Sequence, residues 1–406
     1  MNILVISQYY YPEDFRINDI CEELVRRGNK VTVVAGIPNY PEGVVYKGYE
    51  KSYKQPEYIN GVKVIRCNNR PRKNGILNLL LNYRSYYKKA SVIINKLDEK
   101  FDIVYGYQMS PIMQMIPAIK YKKKHNVPFF MYVCDLWPES MRELGNKEIS
   151  KKNIFYKYFL RMSRKVYSFA DMIGTKCEEF IDYLEATCGI DRNKCKVIYE
   201  HAESNYLAVN EKPTDNGIID FMYLGNIGHS SNCSLIVKAT SKLSGKNFKV
   251  HFVGDGSELT NLKTLTEQMG LEDNIVFHGR KPQKDIIDYY NLCDVCLLTL
   301  SNTSIIGVTP PAKLTGYMAA CRPIIASVDG AAKRIINAAG CGYVVDANDV
   351  DKFAEIMQNA IDNYNEFCCL GIKGRKYFLD HFTIKTHIDN LSIVLGSIIK
   401  KNTIDL

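Results

Sequence analysis

The sequence predicts an α/β protein of two doubly wound parallel-sheet domains, on three observations. The chain has 406 residues, too many for one ordinary core and suited to two of roughly 200 residues each. Short hydrophobic runs of the fully buried kind alternate with helical stretches through both halves. The most complete unit spans residues 297–327: a buried strand, a polar loop over 301–308, a helix whose first turn carries Pro310 and Pro311, and a second buried strand at 323–327. That order is one right-handed βαβ crossover.

The opening is another such unit. Ile3-Leu4-Val5-Ile6 reads as a strand, residues 7–14 as a loop, Arg16 to Arg27 as a helix stopped by Gly28, and Val31-Thr32-Val33-Val34 as a second strand. It lacks the G-x-G-x-x-G fingerprint, which argues against a nicotinamide or flavin, and no cofactor is expected. Next comes Gly36-Ile37-Pro38-Asn39-Tyr40-Pro41-Glu42-Gly43. Its prolines stiffen a loop that leaves Asn39 and Tyr40 to meet sugar hydroxyls and a pyranose face, unless it is a plain turn. Residues 102–107 and 129–133 are further strands. The second runs into Cys134-Asp135-Leu136-Trp137-Pro138-Glu139-Ser140. Ligands bind at the C-terminal ends of strands in open α/β sheets, so Asp135 and Glu139 are ligand-binding candidates; Asp135 could equally cap a proline turn. Strands at 173–175 and 196–198 close the first half, and 199–216 reads as a polar linker.

The second half repeats the pattern. Strands at 221–224, 250–253 and 275–278 each run into glycine: Gly225-Asn226-Ile227-Gly228, Gly254-Asp255-Gly256, and Gly279-Arg280-Lys281. Glycine lets a backbone approach a ligand closely, so the aligned strand ends suggest a nucleotide site. In the 309–322 helix, Pro311, Lys313 and Leu314 form the first turn, where free amides and the macrodipole favour an anion such as phosphate. Alternatively Pro311 only starts the helix and Lys313 points into water. The tail reads as two helical pieces, 374–382 and 383–400.

Charge is uneven: the formal net charge is +9, with +11 in residues 1–200 and −2 in the remainder. The basic, aromatic stretches at 66–100, 120–124 and 151–161 can rest on an anionic bilayer, or form a solvated face. No nucleic-acid recognition module accompanies them. No run of about 18 apolar residues occurs, and the first residues enter a strand rather than a signal peptide. The 13 cysteines are expected as reduced, buried thiols; Cys293-x-x-Cys296 has no second pair, so zinc is not expected. Asp349-Val350-Asp351 reads as a helix cap, and no metal site is predicted.

The run Pro311-Ala312-Lys313-Leu314, then Tyr317-Met318-Ala319-Ala320 and Pro323-Ile324-Ile325-Ala326-Ser327, resembles the donor-site helix of family 4 retaining glycosyltransferases. The first loop from Tyr9 to Asn18, the 36–43 loop and Asp135-Leu136-Trp137-Pro138-Glu139-Ser140 resemble the WbuB-like branch that builds bacterial surface polysaccharides. The resemblance implies the GT-B fold: two Rossmann-like doubly wound parallel-sheet domains facing across a cleft. It implies an acceptor domain over 1–205, a nucleotide-sugar donor domain over 206–380, and a last helix over 381–406 crossing back. On it, Lys313 and Arg280 are catalytic. Gly225, Asn226, Gly228, Gly254, Asp255, Gly256, Arg280, Lys281, Pro311, Lys313 and Leu314 bind the donor, and Arg16, Asn18, Asn39, Tyr40, Asp135 and Glu139 the acceptor. Two usual glutamates fall at Val308 and Gly316, and a usual arginine and lysine fall in the Asn226 and 229–232 loop. Diphosphate charge is then left to Lys313, Arg280, Lys281 or Arg322.

The expected protein is a retaining, metal-independent glycosyltransferase, cytoplasmic and peripheral at the inner membrane. It would move an N-acetylated sugar, such as N-acetyl-fucosamine, from a nucleoside diphosphate to a polyprenyl-diphosphate-linked acceptor. The competing readings are a catalytically silent GT-B protein that binds sugar or a partner enzyme, and a nucleotide-sugar epimerase.

Overall fold

The computed structural model describes residues 1–50, 56–73, 75–142, 149–213, 215–245, 247–301 and 309–404. The chain forms two compact units: Met1–Glu200 with Ile384–Leu406, and His201–Thr383.

The first unit is built on eight strands, β1 (Asn2–Ile6), β2 (Lys30–Gly36), β3 (Glu57–Ile59), β4 (Val62–Cys67), β5 (Ile103–Gln108), β6 (Phe129–Val133), β7 (Met172–Thr175) and β8 (Cys195–Val197). Their order is β3-β4-β2-β1-β5-β6-β7-β8. All pairs are parallel except the β3–β4 hairpin. That hairpin turns on Asn60-Gly61, both at positive φ, the dipeptide that a tight turn of this hand favours. The hydrophobic runs read as strands are fully buried in β1, β5 and β6, because helices cover both faces of a parallel sheet.

The helix Arg16–Arg26 places Ile17, Ile20, Cys21 and Leu24 on one face at helical spacing, against β1 and β2. The same core takes Ile388, Leu391, Leu395 and Ile398 from the last helix, Ile384–Ile404. The tail is thus a core element of the first unit, tied at the surface by Arg27 to Asp389 and to the Lys385 carbonyl at 3.1 Å.

The second unit carries β9 (Ile219–Leu224), β10 (Phe248–Val253), β11 (Ile275–Gly279), β12 (Val295–Thr299), β13 (Ile324–Ser327) and β14 (Gly342–Val345). Every pair is parallel, in the order β11-β10-β9-β12-β13-β14. Connections run to opposite sides of β9, so a crevice is expected beyond its C-terminal end. The β3–β4 hairpin, β14 and the helix Gly330–Ala339 are elements that the sequence pattern did not single out. β14 is half exposed and short, so its pattern is weak.

Because Leu391 is fully buried, Leu391→Ala is expected to destabilise the first unit by about 2–5 kcal/mol, the usual cost of such a cavity. Calorimetry should show one unfolding transition falling while the transition of the second unit stays.

Candidate active site

The C-terminal ends of β9, β10 and β11 converge on a cavity of about 670 Å³ lined by Gly225, Asn226, Gly254, Asp255, Gly256, Arg280, Lys281 and Ile286, with Leu224 and Val253. Seven of the residues read as donor-binding therefore meet at one place. The glycines are there for a different reason than the sequence suggested. A Cβ on Gly254 would stand 1.9 Å from the Gly225 carbonyl oxygen, and one on Gly256 would stand 2.3 Å from that of Ile227. The loops need glycine because they approach each other, and Gly225 and Gly254 also lie at positive φ. Backbone bonds join them: Gly225 N to Val253 O at 2.9 Å, Ile227 N to Asp255 O at 2.9 Å and Gly254 N to Gly279 O at 3.0 Å.

Arg280 is exposed and Lys281 half-buried at this cavity, and neither makes an ion pair among the described residues. Asp255 accepts the Gly256 amide at 2.7 Å. Asn226 is exposed, and its carbonyl takes the Tyr223 hydroxyl at 2.9 Å and the Ser231 hydroxyl at 2.6 Å. Gly228 is buried and lines a separate cavity of about 600 Å³ with His229 and Asn232.

Lys313 lies in the helix Ala312–Ala319, which starts at Pro311 without a side-chain cap. Its side chain runs under the Gly225 loop, with Nζ 3.3 Å from where a Cβ of Gly225 would be. The ammonium donates to the Tyr223 hydroxyl and lies 3.9 Å from the centre of that ring. Burial lowers its pKa from 10.5 to about 8, since a desolvated ammonium with no carboxylate partner among the described residues favours the neutral form. Leu314 is fully buried and its amide bonds the Pro311 carbonyl at 3.0 Å, so it packs the core rather than meeting a ligand through its side chain.

Arg322, a candidate for diphosphate charge, is fully buried. Its guanidinium donates to the Tyr290 carbonyl at 2.9 Å and the Glu211 carbonyl at 3.0 Å, which makes it a clamp between the helix Ile286–Leu292 and the loop at Glu211. Val308 lies outside the described residues. At Gly316, a Cβ would stand 3.0 Å from the Tyr290 hydroxyl and 3.5 Å from the Tyr206 ring. Two tyrosines packed edge to face at 5.0 Å fill the space that a glutamate there would enter. Cys293 and Cys296 are fully buried with sulfurs 3.7 Å apart, and no group of three or more metal-ligating side chains occurs among the described residues. Asp349 caps the helix Val350–Asp362 through the Lys352 amide at 2.9 Å.

In the first unit the acceptor candidates divide. Asn39 is buried and fully engaged: its amide donates to Glu13 at 2.8 Å, its Nδ2 to the Ile37 carbonyl at 2.7 Å, and its Oδ1 accepts the Arg72 amide at 2.6 Å. Asn18 bridges the Tyr11 amide and the Glu13 carbonyl at 3.0 and 2.7 Å. Glu139 is buried, accepting the Tyr156 hydroxyl at 2.6 Å. These three shape loops instead of presenting groups. Arg16 is half-buried where its helix starts. Tyr40 is half-buried among Tyr9 and Phe15, with the Arg72 guanidinium 5.3 Å over its ring. Asp135 accepts both the amide and the hydroxyl of Ser110, whose oxygen takes the Trp137 indole N–H at 2.8 Å.

The sequence pattern did not single out Glu13. Its buried carboxylate holds the Asn39 and Tyr40 amides at 2.8 and 2.7 Å and so joins the first two βα loops. Burial raises its pKa, and the amides oppose that rise. Arg72, Tyr9 and Tyr83 also meet here; burial pushes the Tyr9 phenol up to about 12 and the Tyr83 phenol higher still, with Asp135 adding to the rise.

Two family models match successive parts of the chain: Glycosyltransferase Family 4 over residues 16–200 and Glycosyl transferases group 1 over residues 207–376. Both models describe glycosyltransferases, and each matches a little under half of the chain. The GT-B fold of the two parallel-sheet units is also that of similar solved structures. HepE of Anabaena in complex with UDP superposes with a TM-score of 0.69 at 15% identity, over 98% of this chain and 100% of that one. A glycosyltransferase from Rickettsia africae gives 0.68 at 17% identity, over 98% of each chain. A curated relative, the GDP-mannose-dependent alpha-(1-6)-phosphatidylinositol monomannoside mannosyltransferase of Mycolicibacterium smegmatis, is 24% identical over 147 residues, 36% of this chain and 38% of that protein.

If Gly254 is glycine because of the Gly225 carbonyl, Gly254→Ala should destabilise the second unit by about 1–3 kcal/mol, the scale of enforced backbone strain. Gly228→Ala, whose Cβ meets only the side-chain amide of Asn226 at 2.7 Å, should cost less. Thermal melts of the two variants decide it, and equal losses would contradict the backbone argument.

Proposed function

We propose that this protein is a retaining, metal-independent family 4 hexosyltransferase of the WbuB-like branch. It moves an N-acetylated hexosamine or deoxyhexosamine, such as N-acetyl-fucosamine, from a UDP-sugar to a polyprenyl-diphosphate-linked acceptor in capsule or O-antigen synthesis. One observation carries the donor half: Arg280 and Lys281 share the cavity at the β9–β11 ends, and Lys313 lies directly behind Gly225. As the glycosidic bond breaks, charge develops on the leaving diphosphate. Fixed cations and amides at a sheet end can supply several kcal/mol to that state, the role a metal plays elsewhere. The Tyr40, Arg72 and Asp135 surface suits a saccharide with an anionic neighbour. The silent-protein reading rests on the missing glutamates at Val308 and Gly316 and the missing cations of the Asn226 loop, and nucleotide-sugar binding discriminates the two.

Calorimetry in EDTA with UDP-, GDP- and dTDP-sugars tests the donor site. An anion beside Lys313 restores its charge, so above pH 8 binding must take up a proton. Affinity is expected to fall as pH rises from 7 to 10, and Lys313→Met should weaken binding by about 1.5–3 kcal/mol at pH 7, the worth of a charged hydrogen bond, while removing that fall. No binding by any donor would sink the transferase reading.

A surface of the first unit supports the reading of membrane association. No described helix is long and apolar enough to cross a membrane. The helix Ile154–Ser168, however, leaves Ile154 77%, Phe155 66% and Tyr158 57% exposed, among exposed Lys151, Lys152, Lys157 and Arg161. Apolar side chains ringed by cations suit the interface of an anionic bilayer. Ile154→Ser with Phe155→Ser is expected to reduce co-sedimentation with anionic phosphatidylglycerol vesicles about tenfold or more without lowering donor affinity.

A further inference from the structure

On one face of the second sheet a hydrogen-bonded chain runs across three strands to the loop that carries Arg280 and Lys281. Asp220 is the second residue of β9 and is 1% exposed; His251 lies mid-β10 and is 7% exposed. His278 is next to last in β11. His251 Nε2 is 2.7 Å from Asp220 Oδ1, and His251 Nδ1 is 2.9 Å from His278 Nε2. The two imidazoles stack at 5.1 Å with 23° between planes, and Tyr289 closes the far side of His278 edge-on at 5.0 Å.

The hydrogen-bond logic leaves two states. A carboxylate only accepts, so His251 Nε2 must donate to it. In the neutral chain His251 Nδ1 is then an acceptor and His278 Nε2 its donor. One more proton goes to His278 Nδ1 with the middle bond kept, or to His251 Nδ1 with it reversed, and in either case the pair carries a charge balanced by Asp220. Asp220 is itself fixed: its other oxygen accepts Asn216 at 2.6 Å and its amide donates to Asp294 at 2.8 Å.

The chain ends where the strand changes register. Phe252 stands opposite Phe277, but Val253 stands opposite Gly279, so His278 is the extra residue of a bulge, a device that bends a strand and redirects the backbone beyond it. Here the redirected segment is Gly279 at φ 68°, then Arg280 and Lys281 in the cavity wall.

We propose that Asp220, His251 and His278 are positioning residues for donor binding: by holding the bulge they aim Arg280 and Lys281 at the diphosphate. Its purpose rests on the donor reading above; its geometry does not. Besides Asp220, the groups facing the pair are Lys281 and Tyr289 beyond β11, Asp294 through the Asp220 amide, and Lys249 on β10, whose ammonium is taken by the Asp273 carbonyl. Burial, then His251 and Lys281, hold the His278 pKa below its usual value. A proton taken up by the pair adds positive charge behind the loop, so the donor should bind more tightly toward acid.

The experiment compares the full chain with His251→Phe, His278→Phe and His278→Gln, the last keeping a donor toward His251. Imidazole ¹⁵N NMR of the wild type at pH 8 should show both rings protonated at Nε2. Hydrogen exchange at residues 279–281 should quicken about tenfold or more in both phenylalanine variants and stay near wild type in His278→Gln. With UDP-glucose, GDP-mannose or dTDP-glucose as probe, whichever binds, affinity should fall about tenfold in the phenylalanine variants. The wild type alone should tighten from pH 7 to pH 5, a window in which Lys313 is already charged. Unchanged exchange in His251→Phe, or a His278 ring protonated at Nδ1 at pH 8, overturns the proposal. If no probe binds, the donor reading fails while exchange and NMR still decide the positioning role.

Discussion

The second unit depends on a close approach of two backbones. The Gly254 Cα lies so near the Gly225 carbonyl that no side chain fits between them. This brings the ends of β9 and β10 close enough for the 225–228 and 254–256 loops to bond each other, and the cavity opens above that seam. Gly279 continues the seam to β11 through the Gly254 amide at 3.0 Å. Side chains could not make this floor, because any Cβ would force the loops apart and leave their amides unpaired.

Beneath the floor the structure holds a cation in an unusual setting. Lys313 has a phenol and a ring face for company and, among the described residues, no carboxylate, and its desolvation is a standing cost that an anion above Gly225 would relieve. Arg322 is the opposite case. It is more deeply buried, yet carbonyl oxygens take its Nε and Nη1, so it serves the fold. Residue type and neighbourhood in sequence do not separate these two cations; their partners do.

Much of the architecture was legible. Continuous apolar strands separated by amphipathic helices announce parallel sheets, and the strands at 3–6, 31–34, 129–133 and 221–224 were readable because a strand covered on both faces has no alternation to confuse. Half-exposed β14 and short β3 carried little pattern. The β3–β4 hairpin had the Asn60-Gly61 signal, which local turn chemistry could have supplied. At the candidate site, glycine followed by Asp255 or by Arg280 and Lys281 marked the strand ends that line the cavity. In the first unit polar residues were easier to find than to interpret: Asn18, Asn39 and Glu139 are consumed by loop bonds, while Glu13 joins two loops without any motif to announce it.

The sequence by itself determined the periodicities, the strand-end glycines, the cations near them and the concentration of positive charge in the first 200 residues, since these depend on local order and composition. Tertiary structure alone decided which polar groups are spent and which are left over. It set Asp220, His251 and His278 in one line across strands separated by 31 and 27 residues, and put Tyr206 and Tyr290 in the space beside Gly316. It also made the last helix part of the first core. Those outcomes come from strand register and packing between distant segments, where a contact is specified by two places in the chain at once and neither carries the information alone.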